Sequence, residues 1–109
     1  MNNDEFQAVL DIRVAKIDTV LKHKADEYAR GDRLSNFKAA AEFLNTTPEK
    51  ALMGIAIKHI IALRDFINDL DNDLCQPYER WEEKIGDIIN YLILLDALVQ
   101  ERHKYAPAP

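Results

Sequence analysis

Residues 82–99, EEKIGDIINYLILLDALV, form the most apolar stretch of the chain, yet they carry a carboxylate and an amide, Asp87 and Asn90. A stretch of this length and composition predicts a helix with neighbours on more than one side. Removing a carboxylate from water costs several kcal/mol unless a cation, a metal or hydrogen-bond donors compensate for it. The two polar side chains therefore either reach solvent or meet a partner.

The composition limits the classes of protein to consider. A chain of 109 residues that is 48% apolar and 30% charged predicts a single helical domain over residues 1–105 and a disordered tail at 106–109. A net charge of −5 argues against general nucleic-acid binding and against an anionic membrane, because both need a basic surface. A lone cysteine, Cys75, and an acidic start without a secretory signal lead us to expect a cytoplasmic protein.

Apolar residues recur at spacings of three and four along almost the whole chain, and no alternating strand pattern occurs. The spacing predicts helices over residues 4–29, about 34–44, 48 to about 70, and about 78–104. The first is expected to end at Gly31, and Thr46 or Thr47 with Pro48 predicts the start of the third. The expected fold is all-α, a compact helical bundle of three long helices and one short helix.

On the last helix, Glu83, Asp87, Asn90 and Leu94 follow one another at spacings of four, three and four. At 100° per residue they form one stripe, roughly opposite an apolar face that contains Ile85, Ile89, Leu92 and Val99. This stripe is either a solvated back or the border of an interior space. Because the helix is apolar nearly all round over residues 88–99, we expect a second subunit, in a homodimer or homotetramer.

A second unusual stretch, residues 23–37, collects charged, amide and aromatic side chains around one turn. One interpretation is a solvated connector. The other is a binding site, since carboxylates suit a magnesium ion, while cations and amides suit phosphate or base edges. On the third helix, His59 falls near the middle of the apolar face and Lys58 near its edge.

The segment GDIINYLILL resembles the metal-binding helix of the MazG-like, all-α nucleoside triphosphate pyrophosphatase superfamily, with Asp87 and Tyr91 at the aspartate and aromatic positions. Together with KADEYARGDRLSNF and ALMGIAIKH, it is similar to small MazG-like phage and prophage proteins, some of which have relatives associated with nucleotide modification. The resemblance covers residues 20 to about 102. It differs in two places: Lys84 stands where the pattern has glutamate, and the paired glutamates of an earlier helix are absent as such.

The resemblance implies a nucleotide partner, a Mg²⁺ cofactor and metal-assisted hydrolysis of a phosphoanhydride. Carried over to this chain, the metal ligands and catalytic carboxylates would be Glu27, Glu83 and Asp87. The residues that would contact the nucleotide are Lys24, Tyr28, Arg33, Asn36, Phe37, Lys58 and Asn90. The alternative is a non-catalytic helical module that keeps the fold and binds a host protein or sequesters a nucleotide.

Overall fold

The computed structural model describes residues 1–28 and 32–105, and for residues 23–28 and 105 it describes the backbone alone. Four helices make up this part of the chain: α1 (Asn3–Tyr28), α2 (Ser35–Leu44), α3 (Pro48–Asp69) and α4 (Tyr78–Tyr105). A single 3₁₀ turn, Leu70–Asn72, follows α3, and the described residues contain no strand. The predicted all-α class, with three long helices and one short helix, is confirmed. Gly31 and the tail at 106–109 lie outside the described residues.

Local sequence sets where the helices begin and end. The Thr47 hydroxyl accepts a hydrogen bond from the Lys50 backbone N–H at 3.2 Å, and Pro48 occupies the first turn of α3, where its missing N–H costs nothing. Asn45 ends α2 in the left-handed conformation, at φ 55°. Asp73 adopts the same left-handed conformation at the end of the 3₁₀ turn, at φ 58°. Asn is the usual substitute for glycine at such a position, because its short polar side chain tolerates positive φ.

Helices α3 and α4 form an antiparallel hairpin. Three side-chain pairs join them in reverse order along the chain: Glu49 with Arg102, His59 with Tyr91, and Phe66 with Trp81. Helix α2 packs on α3 and closes one end of the hairpin. The core lies at this end, where Leu34 and Phe37 meet Leu52, Ala56 and Leu98.

Helix α1 packs chiefly on α4, and its N-terminal half extends away from the other helices. All of the first twelve residues are exposed, including Phe6 at 61%, Val9 at 48% and Leu10 at 46%. The apolar residues of α1 show the predicted amphipathic spacing, but in its N-terminal half no other described part of the chain covers them. The bundle is accordingly less compact than expected, with a radius of gyration of 16.8 Å against about 13 Å for a compact domain of this length.

Among the described residues, no helix combines the length and the apolar character needed to cross a bilayer.

Candidate functional site in the groove between α1 and α4

Helix α4 turns part of its polar stripe, Asn90 and the half-buried Asp87, toward the rest of the chain, whereas Glu83 at the start of the stripe is exposed. Asn90 is only 7% exposed, and Leu98, two turns further on, is 4% exposed. On the opposite side, Leu92 is 53% exposed and Val99 37%. Of the two interpretations of the stripe, the structure therefore favours the border of an interior space over a solvated back.

That space is a groove of about 450 Å³ between α1 and α4. This volume lies within the range of sites that hold small molecules. The groove is lined on both sides by charged or polar side chains: Arg13 and Lys16 from α1, and Glu79, Glu82, Glu83, Asp87 and Asn90 from α4. One wall thus carries cations and the other carries oxygen ligands.

Asn90 is the most unusual residue of this lining. Its Oδ1 is buried and accepts no hydrogen bond from any described residue. A buried acceptor without a donor costs about 1–3 kcal/mol, and such groups are rare in folded proteins. Asn90 itself lines the groove wall, so its amide lies beside anything that enters the groove.

Asp87 lies one turn before Asn90 and contacts α3. Its Oδ2 is 3.4 Å from Nδ1 of His59, whose ring lies against that of Tyr91 at a centroid distance of 5.4 Å. Burial raises the pKa of the Tyr91 hydroxyl, and the nearby Asp87 charge raises it further. His59 therefore contacts the Asp87 carboxylate from α3, although the pair does not have hydrogen-bond geometry.

The cations of the α1 wall were not among the predicted site residues. Nη1 of Arg13 donates to the Glu82 carbonyl at 3.3 Å, and Nζ of Lys16 forms an ion pair with the Glu82 carboxylate. Gly86 makes room for the guanidinium, because a Cβ at that position would lie 2.8 Å from Arg13 Nη1. One sequence signal could have indicated this wall: at 100° per residue, Arg13 falls among Phe6, Val9 and Val20, in the middle of the apolar side of α1.

The other predicted site residues are not assembled in this groove. The side chains of Lys24, Glu27 and Tyr28 lie outside the described residues, so the predicted ligand Glu27 is not placed. Arg33 donates from Nη2 to the Leu21 carbonyl at 3.3 Å. Asn36 and Lys58 are exposed on α2 and α3, and neither lines the groove. Phe37 is 9% exposed within the hydrophobic core, where its ring packs against apolar side chains and does not present a face for stacking.

The described residues fit a magnesium ion that arrives with phosphates better than a metal cage made entirely of protein. No three described His, Cys, Asp or Glu side chains converge on one point. Glu83, Asp87 and Asn90 nevertheless present carboxylate and amide oxygens to the same groove. Mg²⁺ prefers such ligands and often takes only one or two carboxylates, with water and substrate phosphates completing its shell.

Comparison of the chain with protein-family models, with curated proteins and with solved structures finds no match.

Proposed function

We propose that the groove between α1 and α4 binds a nucleotide together with Mg²⁺. The observation that carries this proposal is Asn90, which lines the groove and whose buried Oδ1 accepts no hydrogen bond from any described residue. A metal ion, a metal-bound water or a ligand hydroxyl would compensate for its burial.

The two walls of the groove would bind different parts of the ligand. Asp87 and Glu83 from α4 would hold the metal ion, and Asn90 would hold the metal or a sugar hydroxyl. Arg13 and Lys16 from α1 would hold phosphate oxygens, for which Arg has a matching planar array of donors. A bound metal also reconciles a chain of net charge −5 with an anionic ligand.

Hydrolysis of a phosphoanhydride is the reaction that such a site would support, as the MazG-like resemblance implies. A bound Mg²⁺ supplies neutralisation of the phosphate charge and a more acidic water. The chain itself contributes the position of the Asp87 carboxylate, which lies 3.4 Å from Nδ1 of His59.

A second candidate, nucleotide binding or protein binding without turnover, is favoured by a specific observation. Glu82 is already paired with Lys16, and Asp87 is already in contact with His59. With Lys84 at the position of the family glutamate, few carboxylates remain for a two-metal site. The non-catalytic alternative is therefore tested alongside the first.

The test is a thermal-shift and calorimetric panel with Mg²⁺ alone, inorganic pyrophosphate, and purine and pyrimidine nucleoside triphosphates with and without Mg²⁺. We expect Mg²⁺-dependent stabilisation by at least one nucleotide, amounting to about 2.7 kcal/mol at a hundred times the Kd. Asp87→Asn should abolish the Mg²⁺ dependence. Asp71→Asn is the matched control, because Asp71 is exposed in the 3₁₀ turn and does not line the groove.

No stabilisation by any nucleotide at millimolar concentration would contradict the proposal, and so would equal binding by the Asp87→Asn variant. Phosphorus NMR of the incubated nucleotide then separates the candidates. Release of phosphate or pyrophosphate that Asp87→Asn abolishes supports hydrolysis, whereas saturable binding without release supports sequestration.

A further inference from the structure

The α3/α4 hairpin leaves a broad apolar surface bare on the side away from the groove. We propose that a second copy of this chain binds there, through the same surface on both copies. This surface, called the open face below, comprises Met53, Ile57, Ile60 and Ile67 on α3 and Leu92 and Val99 on α4. The inference is independent of the nucleotide proposal, which concerns the opposite side of α4.

The α3 part of the open face is a helical seam. Met53, Ile57 and Ile60 are spaced by four and three residues, and Ile67 continues the seam two turns later. Apolar residues at this spacing are typical of a helix that packs lengthwise against another helix. All four side chains are between 37% and 52% exposed, so the chain itself does not supply the expected neighbour.

The α3 and α4 parts of the open face lie on the same side of the hairpin. On α4, Tyr91 and Leu98 face α3. Leu92 and Val99 lie about 100° around the helix from these two residues in one direction, and the groove residues lie about 100° from them in the other direction. On α3, Met53, Ile60 and Ile67 follow the α4-facing residues His59 and Phe66 by about 110° in the same sense. Because the helices are antiparallel, equal rotations away from their shared contact bring both parts to one side.

The chain exposes more surface than a compact monomer of its size. A compact monomer of 12.5 kDa exposes about 6,200 Å², whereas this chain exposes 8276 Å². The excess of about 2,000 Å² combines the open face with the exposed N-terminal half of α1, and a standard interface needs about 800 Å² per partner. Covering the open face with a second hairpin would produce a four-helix layer with a second apolar core.

Charge favours a second copy over an anionic or cationic partner. The charged positions within the two seams are Arg64 on α3 and Asp96 on α4, one of each sign. Each forms a hydrogen bond within its own helix: Arg64 donates to Asp65 at 3.2 Å, and Asp96 accepts from Gln100 at 3.1 Å. Because the surface carries charges of both signs, two copies of it can pack against each other without bringing charges of the same sign together. It also lacks the basic rim that nucleic acid or an anionic membrane would need.

The test is the molar mass of the full chain by analytical ultracentrifugation over a range of micromolar concentrations. We expect twice the chain mass of 12.5 kDa, or four times if a second surface also associates. Ile57→Asp should halve that mass, because it places a carboxylate in the centre of the open face. Phe43→Asp is the control: Phe43 is 89% exposed on α2, away from the open face, and its replacement should leave the mass unchanged.

Circular dichroism shows whether Ile57→Asp remains helical. If it does not, cross-linking decides the question, with Leu92→Cys compared with Phe43→Cys in a Cys75→Ser background and a short bismaleimide reagent. A covalent dimer from position 92 but not from position 43 supports the proposal. A mass of 12.5 kDa at every concentration, or a dimer that Phe43→Asp dissociates and Ile57→Asp does not, would overturn it. A monomeric Ile57→Asp variant that still binds nucleotide with Mg²⁺ would show that the two proposals stand separately.

Discussion

Replacing Asn90 with leucine should make the ligand-free protein more stable and at the same time weaken its binding of a Mg²⁺ nucleotide. Leucine has the same number of side-chain heavy atoms and the same branching as asparagine, and the adjoining groove gives room for its larger methyl groups. It removes the buried Oδ1, which accepts no hydrogen bond from any described residue. It also adds apolar surface to a position that is 7% exposed and close to Leu94.

The expected gain follows from the cost of the unsatisfied acceptor. A buried oxygen that lacks a donor costs about 1–3 kcal/mol, and leucine recovers that amount. For a domain of about 100 residues, each kcal/mol corresponds to about 4–8 °C in the melting temperature. Most core substitutions lower the free energy of unfolding, so an increase would be diagnostic.

Urea unfolding at one fixed protein concentration measures the effect, since association would otherwise contribute to the apparent stability. Asn68→Leu is the matched control, because Asn68 is exposed on α3 and its replacement should change the free energy of unfolding by less than about 0.5 kcal/mol. A loss of more than about 1 kcal/mol in Asn90→Leu, with Asn68→Leu unchanged, would refute the reasoning. It would mean that Asn90 makes a structural hydrogen bond in the ligand-free protein.

Three further changes test the packing of the helices. Gly54→Ala should raise the free energy of unfolding by about 1 kcal/mol, because alanine is the better helix former and no described atom lies within 4 Å of the new Cβ. Gly86→Ala should gain less, since its Cβ would displace the Arg13 guanidinium; equal gains in urea unfolding would contradict the packing of Arg13. Glu49→Gln should cost stability at pH 7, and the deficit should shrink as the pH falls below 4.5. The hydrogen bond from Arg102 lowers the Glu49 pKa below its ordinary 4.5, so the stabilisation is present above that value and lost as the pH falls through the lowered pKa. Glu42→Gln, at an exposed position on α2, is the control for the urea curves, and a Glu49→Gln deficit that did not shrink with falling pH would contradict the assignment.

The helix boundaries could be predicted because their signals are local. Thr46 or Thr47 with Pro48 predicted the start of α3 at residue 48, where the structure has it, and the apolar spacing predicted its end to within one residue. A cap involves residues three or four positions apart, so neighbouring residues alone carry the information.

The groove could be predicted only in part. The spacing of Glu83, Asp87 and Asn90 placed them on one side of α4, and all three line the groove. The opposing wall was missed, because Arg13 and Lys16 lie 69 and 66 residues away from their partner Glu82 in the chain. Helical periodicity identifies which residues share a face, but it contains no information about which helix that face meets.

The rotation of α4 about its own axis links the two proposals. The rotation that packs Leu98 into the core at 4% exposure also buries Asn90 without a donor and leaves Leu92 53% exposed. Both of these consequences are unfavourable in a free monomer, by desolvation on one side and by apolar exposure on the other. A ligand in the groove would remove the first and a second copy on the open face would remove the second. The two proposals, if both hold, therefore act on the same helix, and each would stabilise this orientation of α4.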